Sequence, residues 1–324
     1  MVKLKTILHP IRSIRKKYQH KYFFKSEKYK ILVDTDRKKA LDIMWDFCYD
    51  TKFPWDNPRT LNEKISYLSA TSDTSLWSIC SDKYEVRKYV ENKGLKHILL
   101  KCYGIWDRVE DIDFESLPNS FVIKCTHDSG SAIIVKDKAK DFDIDAAKQK
   151  LSYCMKRKIG YYSCEPHYNK IKPRIMAEEL LEHSDSNEFK SKSMVDYKFW
   201  SFNGKAHCCM MVYDRVKTSK GSSLILDLYD LKPWKQIKKG LVNLYDSRYN
   251  REVPEPQKLE EMIEIVETLS KDFPVVRVDL YYEGGKIYFG ELTFTSAGGR
   301  MPYYTEEYQL ELGDKIDISQ YYKK

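Results

Sequence analysis

Residues 275–294 read VVRVDLYYEGGKIYFGELTF, which predicts two strands joined by a tight glycine turn. Asp279 lies five residues before the Gly284-Gly285 pair and Glu291 six residues after it, so the two acids are expected nearly opposite each other. Neighbouring carboxylates within apolar runs repel each other unless a cation lies between them. Their hard oxygen atoms suit Mg²⁺ held together with phosphate groups. The alternative is a pair of solvated strand acids, which is the commoner state of charged residues.

A second candidate site is FVIKCTHDSGSAIIVKD at residues 121–137. An apolar strand ends at Lys124, a small polar loop with Gly130 follows, and a further apolar strand continues. A lysine beside such a loop can hold a phosphate group while the amides of the loop cover its oxygen atoms. The alternative is an ordinary hairpin with an exposed lysine.

A third candidate combines IMAEELL, residues 175–181, with the later segment DYKFW. An apolar strand that runs into Glu178 and Glu179 can offer backbone groups to the edge of a base. The second segment places Asp196 and Lys198 on one strand face, because side chains alternate with a period of two. The alternative is that all four are charges on edge strands.

The rest of the chain alternates helices and strands and predicts an α+β protein with mixed or antiparallel sheets. Asp196–Phe202 and Ala206–Tyr213 are the clearest hairpin, because Asn203-Gly204 favours a tight turn. Residues 214–255 are polar, basic and aromatic, and we expect a long loop or an insertion there. The other expected helices cover residues 36–50, 82–94, 143–158 and 257–269, and the other expected strands cover residues 97–103, 120–125, 132–135 and 175–181.

The composition is that of a globular protein. The chain has 324 residues, 42% apolar and 32% charged, which suggests about two domains. No apolar run approaches the ~18 residues that a membrane-spanning helix needs, and the first residues lack the features of a signal peptide. The 8 cysteines include no CxxC pair, which argues against a zinc site and for reduced thiols in a cytosolic protein.

The net charge of +8 is concentrated at one end of the chain. Residues 1–30 hold ten of the 56 Lys and Arg but one of the 48 Asp and Glu, so the remainder is nearly neutral and we expect no nucleic-acid partner. This basic segment also has one apolar stripe at helical spacing, formed by Ile7, Ile11, Ile14 and Tyr18. Such a helix is typical of contact with an anionic membrane surface. The alternatives are docking on the protein's own body or on a partner protein.

Several DxD triplets need a separate explanation, because a nucleotide-sugar transferase uses such a pair to hold a metal and a diphosphate. They lie in loops or at helix starts, where Asp usually caps a helix, and we interpret them as caps. The triplets pair Asp34 with Asp36, Asp111 with Asp113, Asp141 with Asp143, and Asp143 with Asp145. The chain contains neither GxxxxGK[ST] nor GxGxxG.

In combination, six ordered blocks resemble the TupA-like family of the ATP-grasp superfamily, which occurs in bacterial surface-polysaccharide loci. The blocks are TLNEKISYL (60–68), DKYEVRKYV (82–90), FVIKCTHDSGS (121–131), KPRIMAEELL (172–181), DYKFWSFNG (196–204) and VRVDLYYEGGKIYFGELTF (276–294). The resemblance runs from about Pro58 to about Leu312. It implies an ATP-grasp fold of the α+β class, in which two subdomains grip ATP. The implied divisions are a basic amphipathic arm (1–35), an N-terminal α/β domain (36–115), ATP-grasp subdomain 1 (116–190) and ATP-grasp subdomain 2 with the metal hairpin (191–324).

The same resemblance implies roles for individual residues. It implies that the ATP phosphates are bound by Lys83, Lys124 and Lys198 and covered by a mobile loop with His127, Ser129, Gly130 and Ser131. The implied hinge that contacts adenine is formed by Glu178, Glu179 and Leu181, and the implied carboxylate that binds the ribose is Asp196. The implied catalytic residues are Arg277, Lys124 and Lys198. The implied magnesium ligands are Asp279, Glu291 and Thr293. Many relatives have Asn at the position of Thr293, and the loop HDSGS has fewer glycines than those of relatives.

The implied activity is ligation of a carboxylate to an amine with ATP and Mg²⁺. The expected substrates are small molecules or glycan-linked groups, such as a sugar uronate or an amino-acid substituent of a surface polysaccharide. A glycosyltransferase of the same biosynthesis is the alternative function, and a nucleotide-binding protein without turnover is another. We expect a cytoplasmic protein that contacts the inner face of the membrane through residues 1–30.

Overall fold

The computed structural model describes residues 22–183, 189–218, 221–242 and 252–321. Its framework is two antiparallel sheets. The first has the order β1-β4-β2-β3, with β1 (Cys102–Trp106), β2 (Phe121–Cys125), β3 (Ile133–Val135) and β4 (Ile175–Glu178). The second has the order β10-β9-β5-β6-β7-β8, with β5 (Asp196–Phe202), β6 (Lys205–Thr218), β7 (Gly221–Leu231), β8 (Trp234–Gln236), β9 (Val275–Glu283) and β10 (Lys286–Thr293). The predicted α+β class with antiparallel pairing is confirmed.

Helices precede, connect and follow the strands in the described part of the chain. They are α1 (Glu27–Thr35), α2 (Arg37–Tyr49), α3 (Leu61–Thr71), α4 (Ser75–Ser81), α5 (Glu85–Asn92), α6 (Lys138–Asp141), α7 (Ile144–Met155), α8 (Ile159–Ser163), α9 (Pro166–Asn169), α10 (Leu259–Ser270) and α11 (Glu306–Asp314). None of the described helices is long and apolar enough to cross a membrane.

Two of the predicted aspartate caps are confirmed. Asp36 accepts a hydrogen bond from the Lys39 amide at 3.0 Å, and Asp143 accepts one from the Ala146 amide at 2.9 Å. These bonds satisfy amide groups that the first turn of a helix leaves without an intrahelical partner. The two carboxylates therefore cap helices α2 and α7.

The second sheet is held by α10, whose apolar residues recur at helical spacing. Met262, Val266 and Leu269 are completely buried, and the helix packs on β5, β6 and β9. At the far end of β10, Phe294 stacks on Trp77 of α4 with ring centroids 5.0 Å apart. This packing fixes the β9–β10 hairpin against the helices on both sides.

The prediction of a loop over residues 214–255 is wrong for its first half. β6 continues to Thr218, and β7 and β8 extend the sheet from Gly221 to Gln236. Leu226 and Leu228 are buried at a spacing of two, a strand period hidden among polar and basic neighbours. Residues 243–251 of that range lie outside the described residues.

The strand expected at residues 97–103 begins later than predicted. Lys96–Ile98 form a 3₁₀ turn instead, and β1 starts at Cys102 and pairs with β4. β1 comes from the predicted N-terminal domain, yet it joins the sheet of the first predicted subdomain. The domain boundaries themselves remain a prediction.

Only the end of the predicted basic arm lies within the described residues. Phe24, Tyr29 and Val33 are buried against the body, and α1 carries the last two of them. The apolar stripe expected on the arm falls within residues 1–21, which lie outside the described residues.

Gly313 provides a test of the packing between α11 and α3. A Cβ atom at this position would lie 2.0 Å from the carbonyl oxygen of Arg59, just before α3. Gly313→Ala is expected to lower the free energy of unfolding by about 3 kcal/mol, because the backbone must shift. At about 2–4 °C per kcal/mol, calorimetry should show a large fall in Tm. Glu311→Ala, at an exposed position of the same helix, is the control, and an equal Tm for both variants would contradict the close contact.

Candidate active site

A cleft of about 530 Å³ lies between the two sheets. Nine residues singled out from the sequence line it: Lys83, Lys124, Glu178, Glu179, Leu181, Asp196, Lys198, Asp279 and Glu291. They come from segments far apart in the chain, and the two sheets contribute opposite walls. The fold therefore brings most of the expected residues into one place.

The wall from the first sheet combines one ion pair with an apolar surface. Lys124 of β2 forms an ion pair with Glu178 of the adjacent strand β4, and both side chains are largely buried. Val122 and Ile134 line the same wall, and Ile134 is 59% exposed. Exposed apolar side chains gathered in a cleft indicate a ligand with an apolar face.

Lys83 reaches the cleft from the segment before α5. Its ammonium group donates to the carbonyl oxygen of Asp128, and its backbone amide donates to Thr126 at 3.1 Å. Burial lowers the pKa of Lys83, and the charges of Glu291 and Lys124 act on that pKa in opposite directions. The lysine thus stands between the two walls of the cleft.

The loop at residues 127–131 does not line the cleft in this structure. His127 and Ser131 are buried and point into the body, where burial lowers the pKa of His127. Ser131 donates to Asp128 at 2.5 Å, while Ser129 and Gly130 are exposed at the tip. The expected contact of this loop with a nucleotide therefore remains a prediction.

On the second wall, Asp279 of β9 and Glu291 of β10 are direct cross-strand partners. Glu291 is one residue farther from the turn than Asp279, and a bulge at Gly290 absorbs the difference. A Cβ atom on Gly290 would lie 2.9 Å from the Asp279 carbonyl oxygen, so glycine permits the bulge. The predicted juxtaposition of the two acids is confirmed.

Arg277 lies beneath this pair and is 7% exposed. Its guanidinium donates to both oxygens of Asp279, at 2.6 and 2.7 Å. It also donates to Thr293 at 3.1 Å, to Glu291 at 3.4 Å and to Ser296 at 2.5 Å. Burial disfavours the charge, but Asp279 and Glu291 together hold the pKa of Arg277 above its usual range.

Asp279 is shared between two cations. Besides Arg277, the Lys198 ammonium lies 2.5 Å from its Oδ2 atom. Burial alone would raise the pKa of Asp279, but Arg277 and Lys198 outweigh it and the pKa is lowered. Asp279 is therefore held as a carboxylate.

Asp196 and Arg215 form a further ion pair at the cleft. Arg215 donates to Asp196 Oδ2 at 2.9 Å, and Lys198 lies 3.9 Å from the same atom. Arg215 follows Asp214, which has a φ of 48° in a bulge of β6, and its backbone amide donates to Ser193 at 3.0 Å. The bulge turns the guanidinium into the cleft.

Sequence reasoning missed both Arg215 and Arg157. Arg157, after α7, donates to Asp128 and to the Ser129 carbonyl, each at 3.1 Å, and so holds the loop at residues 127–131. No local pattern marks either arginine, because each meets its partner through tertiary packing. The sequence does not signal the bulge at Asp214 either, because glycine is the residue type that adopts a positive φ most readily.

The donors of the hairpin suit a magnesium ion. Among the residues that the structure describes, no three His, Cys, Asp or Glu side chains form a closed metal site. Asp279 and Glu291 instead offer two adjacent carboxylates that line an open cleft, with the Thr293 hydroxyl 3.1 Å from Glu291. Mg²⁺ is usually held by one or two carboxylates together with phosphate oxygens and water, so this donor set fits it.

Comparison with protein-family models gives a match to the family described as TupA-like ATPgrasp over residues 63–317. No curated protein sequence matches the chain.

Solved structures give more distant likenesses. D-alanine–D-alanine ligase from Bacillus anthracis, complexed with ATP, is 13% identical with a TM-score of 0.44, over 82% of this chain and 76% of that one. L-amino acid ligase from Bacillus licheniformis is 16% identical with a TM-score of 0.43, over 81% and 56% respectively. The ATP-grasp ligase PsnB, complexed with a minimal precursor, is 11% identical with a TM-score of 0.39, over 84% and 68%. None of the three is similar enough to assign an activity to this chain.

Proposed function

This chain belongs to the TupA-like ATP-grasp family and has the ATP-grasp fold, and we propose that it is an ATP-dependent carboxylate–amine ligase. One observation carries the proposal: three lysines and a pair of adjacent carboxylates meet in a single cleft with an apolar wall. Lys83, Lys124 and Lys198 supply positive charge for a polyphosphate, and the apolar wall suits a purine.

We place the nucleotide along the cleft by the chemistry of its walls. The adenine lies on Val122 and Ile134, where the backbone that follows β4, at residues 178–181, provides hydrogen-bonding groups for its edge. Asp196 accepts from the ribose hydroxyl groups, and the phosphates point toward the lysines. The loop at residues 127–131 closes over them.

Asp279 and Glu291, with Thr293 beside them, would hold Mg²⁺. An ion bound there would supply positive charge to the phosphate groups of the nucleotide. Lys198 already contacts Asp279 and so lies where a phosphate oxygen would approach. The chain's own contribution at this point is to position the phosphates and to neutralise their charge.

The proposed reaction has two steps. A carboxylate oxygen attacks the γ-phosphorus, the bond to the β-phosphate oxygen breaks, and ADP leaves with the formation of an acyl phosphate. An amine then attacks the acyl carbon, phosphate leaves, and the amine loses a proton as the amide forms. Arg277 stabilises the charge of the acyl phosphate and of the tetrahedral intermediate.

We further propose that the substrates belong to surface-polysaccharide biosynthesis, as a sugar uronate or a glycan-linked amino acid. Polymers of this kind are assembled on lipid carriers, so the basic residues 1–30 would hold the enzyme at the inner face of the membrane. Most of that segment lies outside the described residues, and the membrane contact rests on its charge and apolar spacing alone.

The decisive experiment incubates the full chain with ATP, Mg²⁺ and a panel of uronic acids and amino acids. The proposal expects ADP and phosphate together with a product whose mass is that of the two substrates less one water. Release of UDP from a nucleotide sugar, without formation of ADP, would support the glycosyltransferase alternative instead. ADP formation without any condensed product would contradict the ligase.

Lys124→Ala is expected to weaken ATP binding roughly 10- to 100-fold, because a charge-assisted hydrogen bond to phosphate contributes about 1.5–3 kcal/mol. Titration calorimetry with ATP and Mg²⁺ measures the effect. Lys136→Ala, at an exposed position just after β3, is the matched control. Equal affinity for ATP in both variants would refute the phosphate contact of Lys124.

A further inference from the structure

Asp128 places a negative charge in the loop at residues 127–131, which the proposed function assigns to the phosphates of ATP. Its carboxylate is shielded from solvent, because the side chain is 0% exposed. A buried charge is screened less by water and salt than a surface charge, so this carboxylate would repel a polyphosphate that the loop covers. The loop can bind a polyphosphate well only if that charge is balanced within the chain.

The loop lies next to a lysine of the cleft. The Lys83 ammonium donates to the carbonyl oxygen of Asp128, and Lys83 itself lines the cleft. Burial lowers the pKa of Lys83, and the charge of Asp128 is among those that act to raise it. The Asp128 carboxylate is therefore close enough to act electrostatically on a lysine that the proposed function assigns to phosphate.

The backbone of the same loop is suited to an anion. None of the five amide groups of residues 127–131 donates a hydrogen bond to any residue that the structure describes. Successive backbone amides of this kind attract negative charge, and the tip of the loop, at Ser129 and Gly130, is exposed. The amides and the carboxylate of the loop thus act on an anion in opposite directions.

Arg157 supplies the balancing charge. Its guanidinium donates to Asp128 Oδ2 at 3.1 Å, while the Ser131 hydroxyl donates to Oδ1 at 2.5 Å. Within the described residues, Arg157 is the one cation at ion-pair distance from this carboxylate. Removal of the guanidinium would leave a buried carboxylate with a hydroxyl group as its partner and with no cation at that distance.

Arg157 also holds the backbone of the loop. It donates to the carbonyl oxygen of Ser129 at 3.1 Å, and its own carbonyl oxygen accepts from His127 Nε2 at 3.1 Å. These two bonds alone would give the arginine a structural role, in which it fixes the loop and its charge has no further effect. The two roles can be separated, because only the electrostatic one depends on the charge of Asp128.

We propose that Arg157 is a positioning residue for the nucleotide, which neutralises Asp128 and so allows the amides of the loop to bind the phosphates of ATP. This assignment rests on the proposed function and adds to it a residue that acts through Asp128. The Arg157 side chain is 36% exposed and does not line the cleft, so it acts without touching the nucleotide.

The test measures the affinity of the full chain for ATP with Mg²⁺, and separately for adenosine, by titration calorimetry. Arg157→Gln is expected to weaken ATP binding by roughly tenfold or more, because it leaves a like charge beside the phosphates. Binding of adenosine, which has no phosphate, should not change. Arg157→Lys keeps the charge and should retain most of the affinity for ATP. Lys156→Gln, which removes an exposed charge from the neighbouring residue, is the matched control and should bind ATP like the wild type.

The double variant with Arg157→Gln and Asp128→Asn separates the two roles. Loss of both charges should restore ATP affinity to within about threefold of the wild type, although the bond to the Ser129 carbonyl is still missing. A double variant that binds ATP as weakly as Arg157→Gln would mean that the arginine only fixes the loop, and would overturn the proposal. An equal loss of adenosine binding in Arg157→Gln would overturn it as well. Melting curves followed by circular dichroism fix a temperature at which every variant is folded.

These titrations need no acceptor substrate, so they are independent of the ligation assay. If the variants bind ATP in the expected pattern but the chain forms no condensed product, the ligase function fails and the role of Arg157 stands. If the wild-type chain does not bind ATP at all, both proposals are overturned.

Discussion

Glu291→Gln is expected to reduce turnover by on the order of 10²–10³-fold while leaving the fold unchanged. The variant keeps the shape of the side chain but removes one of the two carboxylates that would hold Mg²⁺, and loss of one electrostatic contact in a transition state has effects of this size. The side chain is 52% exposed and its ion pair with Arg277 is long at 3.4 Å, so little stability depends on it.

The comparison with Asp279→Asn separates metal binding from folding. Asp279 accepts from Arg277 and Lys198, so its neutralisation removes the carboxylate charge nearest to both cations and should lower both turnover and Tm. ADP formation at increasing Mg²⁺ and calorimetry measure the two effects, with Glu264→Gln on the exposed face of α10 as the control. Near-wild-type turnover of Glu291→Gln at saturating Mg²⁺ would refute the metal assignment.

Arg277→Met is expected to abolish turnover and to destabilise the fold by about 3–5 kcal/mol, because it leaves the buried Asp279 carboxylate with Lys198 as its remaining partner. At about 2–4 °C per kcal/mol, this is a fall in Tm of roughly 6–20 °C. The double variant with Asp279→Leu should recover most of that stability, since replacing a buried ion pair by apolar groups is often neutral. The double variant should recover none of the turnover.

The pH dependence of stability provides an independent check on this pair. Because the pKa of Asp279 is lowered in the folded state, its contribution is fully present above its ordinary value of 3.8. That contribution is lost as the pH falls through the lowered pKa. The stability difference between wild type and Arg277→Met should therefore be largest near neutral pH and shrink below about pH 3.8. A difference that does not change with pH would mean that Arg277 stabilises the fold by packing alone.

The hairpin could be predicted because its information is local. A glycine turn and two apolar runs determine which residues pair, and they bring Asp279 and Glu291 together without any distant contact. The bulge at Gly290 was also signalled, since a glycine within a strand pattern often marks one, but counting residues from the turn does not show which residue is displaced.

Other elements were missed although a local signal was present. Thr60 and Glu63 form a reciprocal capping box at the start of α3, and the spacing T-x-x-E is visible in the sequence. The sequence predicts a loop at β7 and β8 because these two strands, near one edge of the sheet, carry many polar residues that obscure the period of the buried face.

The remaining site residues depend on tertiary structure. Arg215 reaches Asp196 because β6 is adjacent to β5 and bulges after Tyr213, and Arg157 reaches Asp128 from the turn that follows α7. Nothing near either arginine in the sequence distinguishes it from a solvated surface charge. Identifying such residues requires the arrangement of the strands and helices.

Several cations of the cleft are already paired with carboxylates of the same chain. Lys124 already has Glu178, Lys198 has Asp279, and Arg215 has Asp196, so each of these charges is balanced within the chain. A polyphosphate that enters must displace carboxylates from their cations instead of filling vacant positive sites. The free energy needed to break those ion pairs offsets much of the new attraction. A small anion, which contacts fewer lysines at once, compensates for less of that cost. For the proposed nucleoside triphosphate, this pairing should favour a polyanion over a small anion such as inorganic phosphate.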